Sequence, residues 1–151
     1  MLNEYFIFCI KEKFAQHYFH KSDLLYQFLK MYNNDQNNVE LFNQFHYITN
    51  EFPKMLLIAH LKNEREPNEC IRINDQSIVL STNSQSMTLH IFDKLIKFHC
   101  PSLYEAEHLL LARLRRFHPY LFVTCQHKDK YGWITPMTMN PQLNVKQLLS
   151  S

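Results

Sequence analysis

The chain has 151 residues, 46% of them hydrophobic and 14% aromatic, which suits one domain with one core and excludes global disorder. It has a single glycine, Gly132, where average usage of ~7% gives roughly ten in a chain this long. A dinucleotide fingerprint, a phosphate-cradling loop, a nucleophile elbow and a calcium-binding EF loop all need glycines at fixed points and are excluded, and a net charge of +2 makes no electrostatic case for a nucleic-acid or anionic-membrane partner.

Taken in chain order, Tyr5 to Ile10 is apolar on both faces and rich in β-formers, which predicts a strand inside a sheet. From Lys11 to His20 the period becomes helical. Ile10, Phe14 and Tyr18 share one line of the wheel and Ala15 and Phe19 the next, an apolar arc of about 180° that is wider than one core face needs. Ser22 and Asp23 are capping residues ahead of a second helix carrying Leu24, Leu25, Phe28, Leu29 and Tyr32, which the Asn33–Asn38 stretch breaks. Asn38 is placed to cap a third helix with Leu41, Phe42, Phe45 and Ile48, and Pro53 to sit in the first turn of a fourth through Met55, Leu57 and Leu61.

Beyond Pro67 the pattern alternates through Ile71 and Ile73, Ile78 and Leu80, Met87, Leu89 and Ile91, then Ile96 and Phe98, which predicts short antiparallel strands. Asn74-Asp75 and Asn83-Ser84-Gln85 are turn residues that tolerate a left-handed backbone. Leu103 to Phe117 returns to helical spacing and Pro119 ends it; Tyr120 to Cys125 reads as a strand and Tyr131 to Pro136 as a turn or short strand. The first strand needs cover on both sides. The expectation is therefore a single α/β domain over residues 1–136, a mixed β-sheet with helices packed on its faces, followed by a polar C-terminal tail over 137–151.

No catalytic constellation stands out. Cys9, Cys70, Cys100 and Cys125 form no Cys-x-x-Cys pair and read as reduced thiols of a cytoplasmic protein, and the N-terminus has neither a basic signal region nor a long enough apolar run for export or a span. His17 with His20, or His99-Cys100 with Cys125-x-His127, are the candidate metal ligands, but their spacing is not that of a structural zinc site. Glu105 and Glu107 lie two apart on a helix and face different ways, so they make no acid/base dyad. The cluster Arg113, Arg115, Arg116 and His118 closes a helix, where cations favour the last carbonyls. No metal and no cofactor is predicted. A small transferase or hydrolase using a cysteine or histidine is the alternative that these residues leave open. The first helix offers another lead, since some of its aromatic arc falls outside one core face. Whether that marks an interface or a second buried side stays open from pattern alone.

The run from Tyr5 to Phe19, Tyr-Phe-Ile-Phe-Cys-Ile-Lys-Glu-Lys-Phe-Ala-Gln-His-Tyr-Phe, resembles the opening of the sporulation inhibitor of replication (SirA) family of endospore-forming bacteria. Gln44 to Thr49, Tyr104 to Glu107, and Tyr131 to Pro136 agree in the same order. The resemblance implies a non-enzymatic inhibitor that binds the N-terminal domain of the replication initiator DnaA, with no direct nucleic-acid contact, membrane or small-molecule substrate. It further implies that the partner-binding residues are Phe14, Tyr18, Gln44 and Pro136.

Overall fold

A strand with apolar side chains on both faces is stable only between two covering layers, and that is where the first strand lies. The structure, a computed structural model, describes residues 2–125 and 128–134. Strand β1 (Asn3–Ile10) is followed by helices α1 (Glu12–Tyr18), α2 (Ser22–Asn34) and α3 (Val39–Ile48), the two-residue strand β2 (Thr49–Asn50), and helix α4 (Lys54–Asn63). Four strands come next, β3 (Cys70–Ile73), β4 (Ser77–Ser81), β5 (Ser86–Ile91) and β6 (Leu95–Cys100). Helices α5 (Leu103–Ala106) and α6 (Ala112–Phe117) flank a π-helical segment, Glu107–Leu111, and strands β7 (Leu121–Cys125) and β8 (Tyr131–Trp133) complete the described chain. Pro136, the expected boundary after it and the 137–151 tail lie outside the described residues.

The strands form one sheet in the order β3-β4-β5-β6-β1-β7-β8, with β2 also on β1. One edge of β1 pairs with β7, from Tyr5↔Cys125 to Cys9↔Leu121. Its other edge pairs first with β6, from Asn3↔Cys100 to Phe8↔Leu95, and then with β2 at Cys9↔Asn50 and Ile10↔Thr49. The expected single α/β domain with an internal first strand is what the chain forms. The sheet itself is antiparallel at each of these pairings rather than mixed.

Because side chains alternate along a strand, β1 divides between two cores. Tyr5, Ile7 and Cys9 enter a core with the inward residues of β4 to β7, Leu57 and Leu61 of α4, and the helix that contains the π segment. Phe8 and Ile10 enter a second core with Ala15 and Phe19, Leu25, Tyr26 and Leu29 of α2, Phe45 and Ile48 of α3, Phe122 and Trp133. Asn38 caps α3 as expected, its side-chain oxygen accepting from the Leu41 N–H at 3.2 Å.

Several local expectations change. No described residue has a positive φ, so the turns after β3 and β4 need no left-handed backbone; the Asn74 N–H to Ser77 and the Thr82 N–H to Gln85 bonds close them, at 2.9 and 2.8 Å. Leu24, Phe42 and Met55, all on predicted apolar stripes, point outward. The helix from Leu103 is interrupted by π geometry where Leu109, Leu110 and Leu111 are all buried. An α-turn spreads three consecutive side chains over about 200°, and the wider π turn narrows that spread toward one side.

Candidate functional site

The start of α1 is tied to the end of α3, since the Lys11 N–H donates to the Ile48 carbonyl at 2.9 Å. The two helices therefore share one side of the second layer. Of the α1 aromatic arc, Ala15 and Phe19 are buried, the latter at 7% exposure, whereas Phe14 and Tyr18 are half-buried and pack only in part against the core. The arc thus splits, with Ala15 and Phe19 inside and Phe14 and Tyr18 half outside. Gln44 is exposed on α3.

Tyr47 joins these residues. It lies one turn beyond Gln44 on α3, is 58% exposed, and meets the Phe14 ring edge-on with centroids 5.2 Å apart and planes at 66°. The Lys11 and Lys13 ammonium groups stand 5.4 and 5.8 Å from the Tyr47 ring centre, and Lys13 is 5.3 Å from that of Phe14. Phe14 and Gln44, 30 residues apart, are in this way parts of one aromatic surface with a basic margin. Tyr18, one turn after Phe14, extends it along α1, its ring 4.8 Å from that of His17. In the sequence Tyr47 lies within the Gln44 to Thr49 stretch, with nothing local to single it out. Its exposure depends on which side of α3 meets the sheet, and the Phe45 and Ile48 positions are the only signal for that.

A separate cleft of about 630 Å³ opens on another side of α3, lined by Phe45, His46, Tyr32, Phe6 and Lys94 among others, and it involves none of Phe14, Tyr18 or Gln44.

Several of the residues weighed for chemistry have structural partners, while His127 lies outside the described residues. His118 Nδ1 accepts the Tyr120 N–H at 3.0 Å, which leaves the proton of the neutral ring on Nε2, and Nε2 lies 3.2 Å from Cys9 Sγ. The ring therefore presents a donor to the thiol, not a base. Burial pushes the Cys9 thiol up to about 11 and holds His118 below its usual value, both favouring neutral forms over a thiolate–imidazolium pair. Cys100, also raised by burial, sits at about 12. The arginine cluster is built into ion pairs: Arg113 with Glu69 at 2.5 Å, Arg115 with Glu107, and Arg116 with Glu64. Glu107 is thereby accounted for as well. His99 meets Glu4 at 3.0 Å. Among the described residues there is no group of three or more side chains able to hold a metal ion, and no helix long and apolar enough to cross a membrane.

The fold is that of a small α/β domain, and Phe14, Tyr18 and Tyr47 form a partly exposed aromatic surface on one side of it. The chain belongs to the family described as sporulation inhibitor of replication protein SirA, whose model matches residues 3–138. A curated relative, the sporulation inhibitor of replication protein SirA of Bacillus subtilis (strain 168), is 24% identical over 142 residues, covering 91% of this chain and 96% of the relative.

Proposed function

We propose that this protein is a cytoplasmic inhibitor of replication initiation that acts by occupying the N-terminal domain of the initiator DnaA, so that the initiator cannot assemble productively at the origin during sporulation. Phe14 and Tyr18 are the anchors, Gln44 supplies a donor and an acceptor beside them, and Pro136 is the remaining contact that the resemblance implies. The observation that carries this reading is the splitting of the α1 arc. Ala15 and Phe19 are enclosed while Phe14 and Tyr18 keep apolar area in water, in a chain of the family named for replication inhibition. Covering such area on a partner is favourable by roughly 25 cal/mol per Å² before the losses of association are subtracted.

Inhibition of this kind needs no catalysis and no contact with DNA, because the inhibitor works by competition for a surface. The test is calorimetric titration of the protein with the N-terminal domain of DnaA from the same organism. A stoichiometric complex is expected. Initiator degradation or ATP hydrolysis caused by the purified protein, or no complex at all, overturns the reading.

A further inference from the structure

The half-exposed aromatic line does not end at Phe14. Tyr47 continues it onto α3 with more of its ring in water, and two cations stand close to it. Elsewhere the lysines nearest to aromatic rings have carboxylates: Lys30, 5.8 Å from the Tyr26 ring, pairs with Asp129 at 3.3 Å, and Lys97, 5.8 Å from the Phe92 ring, faces Glu4 at 3.9 Å. Among the described residues neither Lys11 nor Lys13 has such a partner. Glu12, the acid between them in sequence, is engaged on another side, accepting from the Gln16 amide at 3.4 Å and the Tyr120 hydroxyl at 3.1 Å. The surface around Tyr47 is thus aromatic at its centre and carries two charges that no carboxylate among the described residues pairs with.

We propose that Tyr47, Lys11 and Lys13 form part of the binding face, and that the protein surface it takes is acidic, an apolar patch with carboxylates at its rim. This inference rests on the reading of Phe14 and Tyr18 as interface anchors and names the chemistry of what meets them. A partner that covers Tyr47 strips water from both ammonium groups, which is unfavourable unless a carboxylate replaces it. A neutral or basic surface of the same shape is penalised, so the lysines select the partner while the rings hold it. Phosphates are the other anions that two lysines could meet, but a pair of cations on a chain of net charge +2 is far from the basic stripe of a nucleic-acid binder.

The experiment measures binding of the full chain to the N-terminal domain of DnaA for four variants whose melting temperatures are recorded alongside. Phe14→Ala reports on the proposed function. Tyr47→Ala is expected to weaken binding by about thirtyfold or more, as for a central aromatic contact. The double variant Lys11→Glu/Lys13→Glu is expected to weaken it by about tenfold at low salt, with the difference shrinking as salt screens exposed charges. Lys11→Arg/Lys13→Arg is expected to bind like the parent and so guards against an effect of folding. If Phe14→Ala abolishes binding while Tyr47→Ala and the charge reversal leave it intact, the acidic-partner inference fails and the proposed function stands. If Phe14→Ala has no effect, the proposed function fails first. Lysine-dependent binding of a short DNA duplex, with initiator binding unaffected by charge reversal, assigns the lysines to phosphates and overturns the inference.

Discussion

The two layers that cover the sheet are built on different terms. On the side of α4, α5 and α6, the arginines of the last helix are each matched by a glutamate, and Arg113 and Glu69 do so with side chains that are 4% and 0% exposed. On the side of α1, α2 and α3, Phe14, Tyr18, Phe28 and Tyr32 pack only in part, and Lys11 and Lys13 have no carboxylate partner among the described residues. The first layer closes its charges on itself, each of these arginines on a glutamate, although Met55, Leu56 and Tyr104 stay exposed on it. The second keeps enough apolar contact to hold the fold and leaves the rest facing outward, which is the condition for recognising another surface without unfolding.

Breaking the closed layer should have the largest effect. Glu69 Oε1 holds both Arg113 and the Glu66 N–H, the latter at 3.2 Å, and so ties the segment before β3 to α6. Glu69→Leu leaves the Arg113 guanidinium buried without its counter-charge, a change expected to lose about 3–5 kcal/mol of stability. Replacing both residues by apolar ones of similar volume should restore most of that, because the second carboxylate oxygen and one guanidinium nitrogen have no partner among the described residues and the pair is only partly compensated. Urea unfolding of the single and double variants measures the difference. A single variant as stable as the parent contradicts the closed-layer account.

Within the open layer, Phe19 and Phe14 form a sharper pair, five residues apart on the same stretch of chain. Phe19→Ala removes a buried ring and should lose about 3–5 kcal/mol of stability. Phe14→Ala removes a half-buried one that also packs on Tyr47, so its loss should be smaller, about 1–2 kcal/mol, while binding to the initiator domain falls by at least ~2 kcal/mol. Equal stability losses at the two positions erase the distinction between the lines of α1.

The contrast between layers was only partly legible in the sequence. The central place of β1 was legible because Tyr5 to Ile10 is apolar at every position, which only a doubly covered strand sustains. The one-sided burial of β4, β5 and β6 was legible for the complementary reason, since their residues alternate and only one face enters the first core. The site was legible in part. Helical spacing showed that α1 carried two apolar lines, and it took tertiary packing to decide which is enclosed. The ion pairs that absorb Arg113 and Arg116 had no local signature, as Glu69 and Glu64 come from segments more than 40 residues earlier, whereas Arg115 meets Glu107 on its own helical stretch. The π segment was hidden for a related reason. Its leucines fit a buried α-helix equally well, and the wider turn follows from packing across the sheet rather than from any breaker residue.

The smallest expected effect again separates the layers, this time through pH. His118 reaches Cys9, whose side chain belongs to the first core, and burial keeps the imidazole pKa below its usual value. The unfolded chain therefore binds a proton at His118 more readily than the folded one does. Stability from this residue is complete above the unfolded value of about 6.5 and is lost as the pH falls through the lower folded value. Melting temperature should drop between pH 7.5 and pH 5 with a contribution that His118→Asn removes, since asparagine still offers an acceptor to the Tyr120 N–H and does not titrate. The same variant should bind the initiator domain like the parent at pH 7.5, because His118 serves the closed layer and lies outside the proposed contact set. A variant that keeps the full acid slope would place the titration elsewhere, and one that loses binding while remaining folded would join the two layers into a single functional unit.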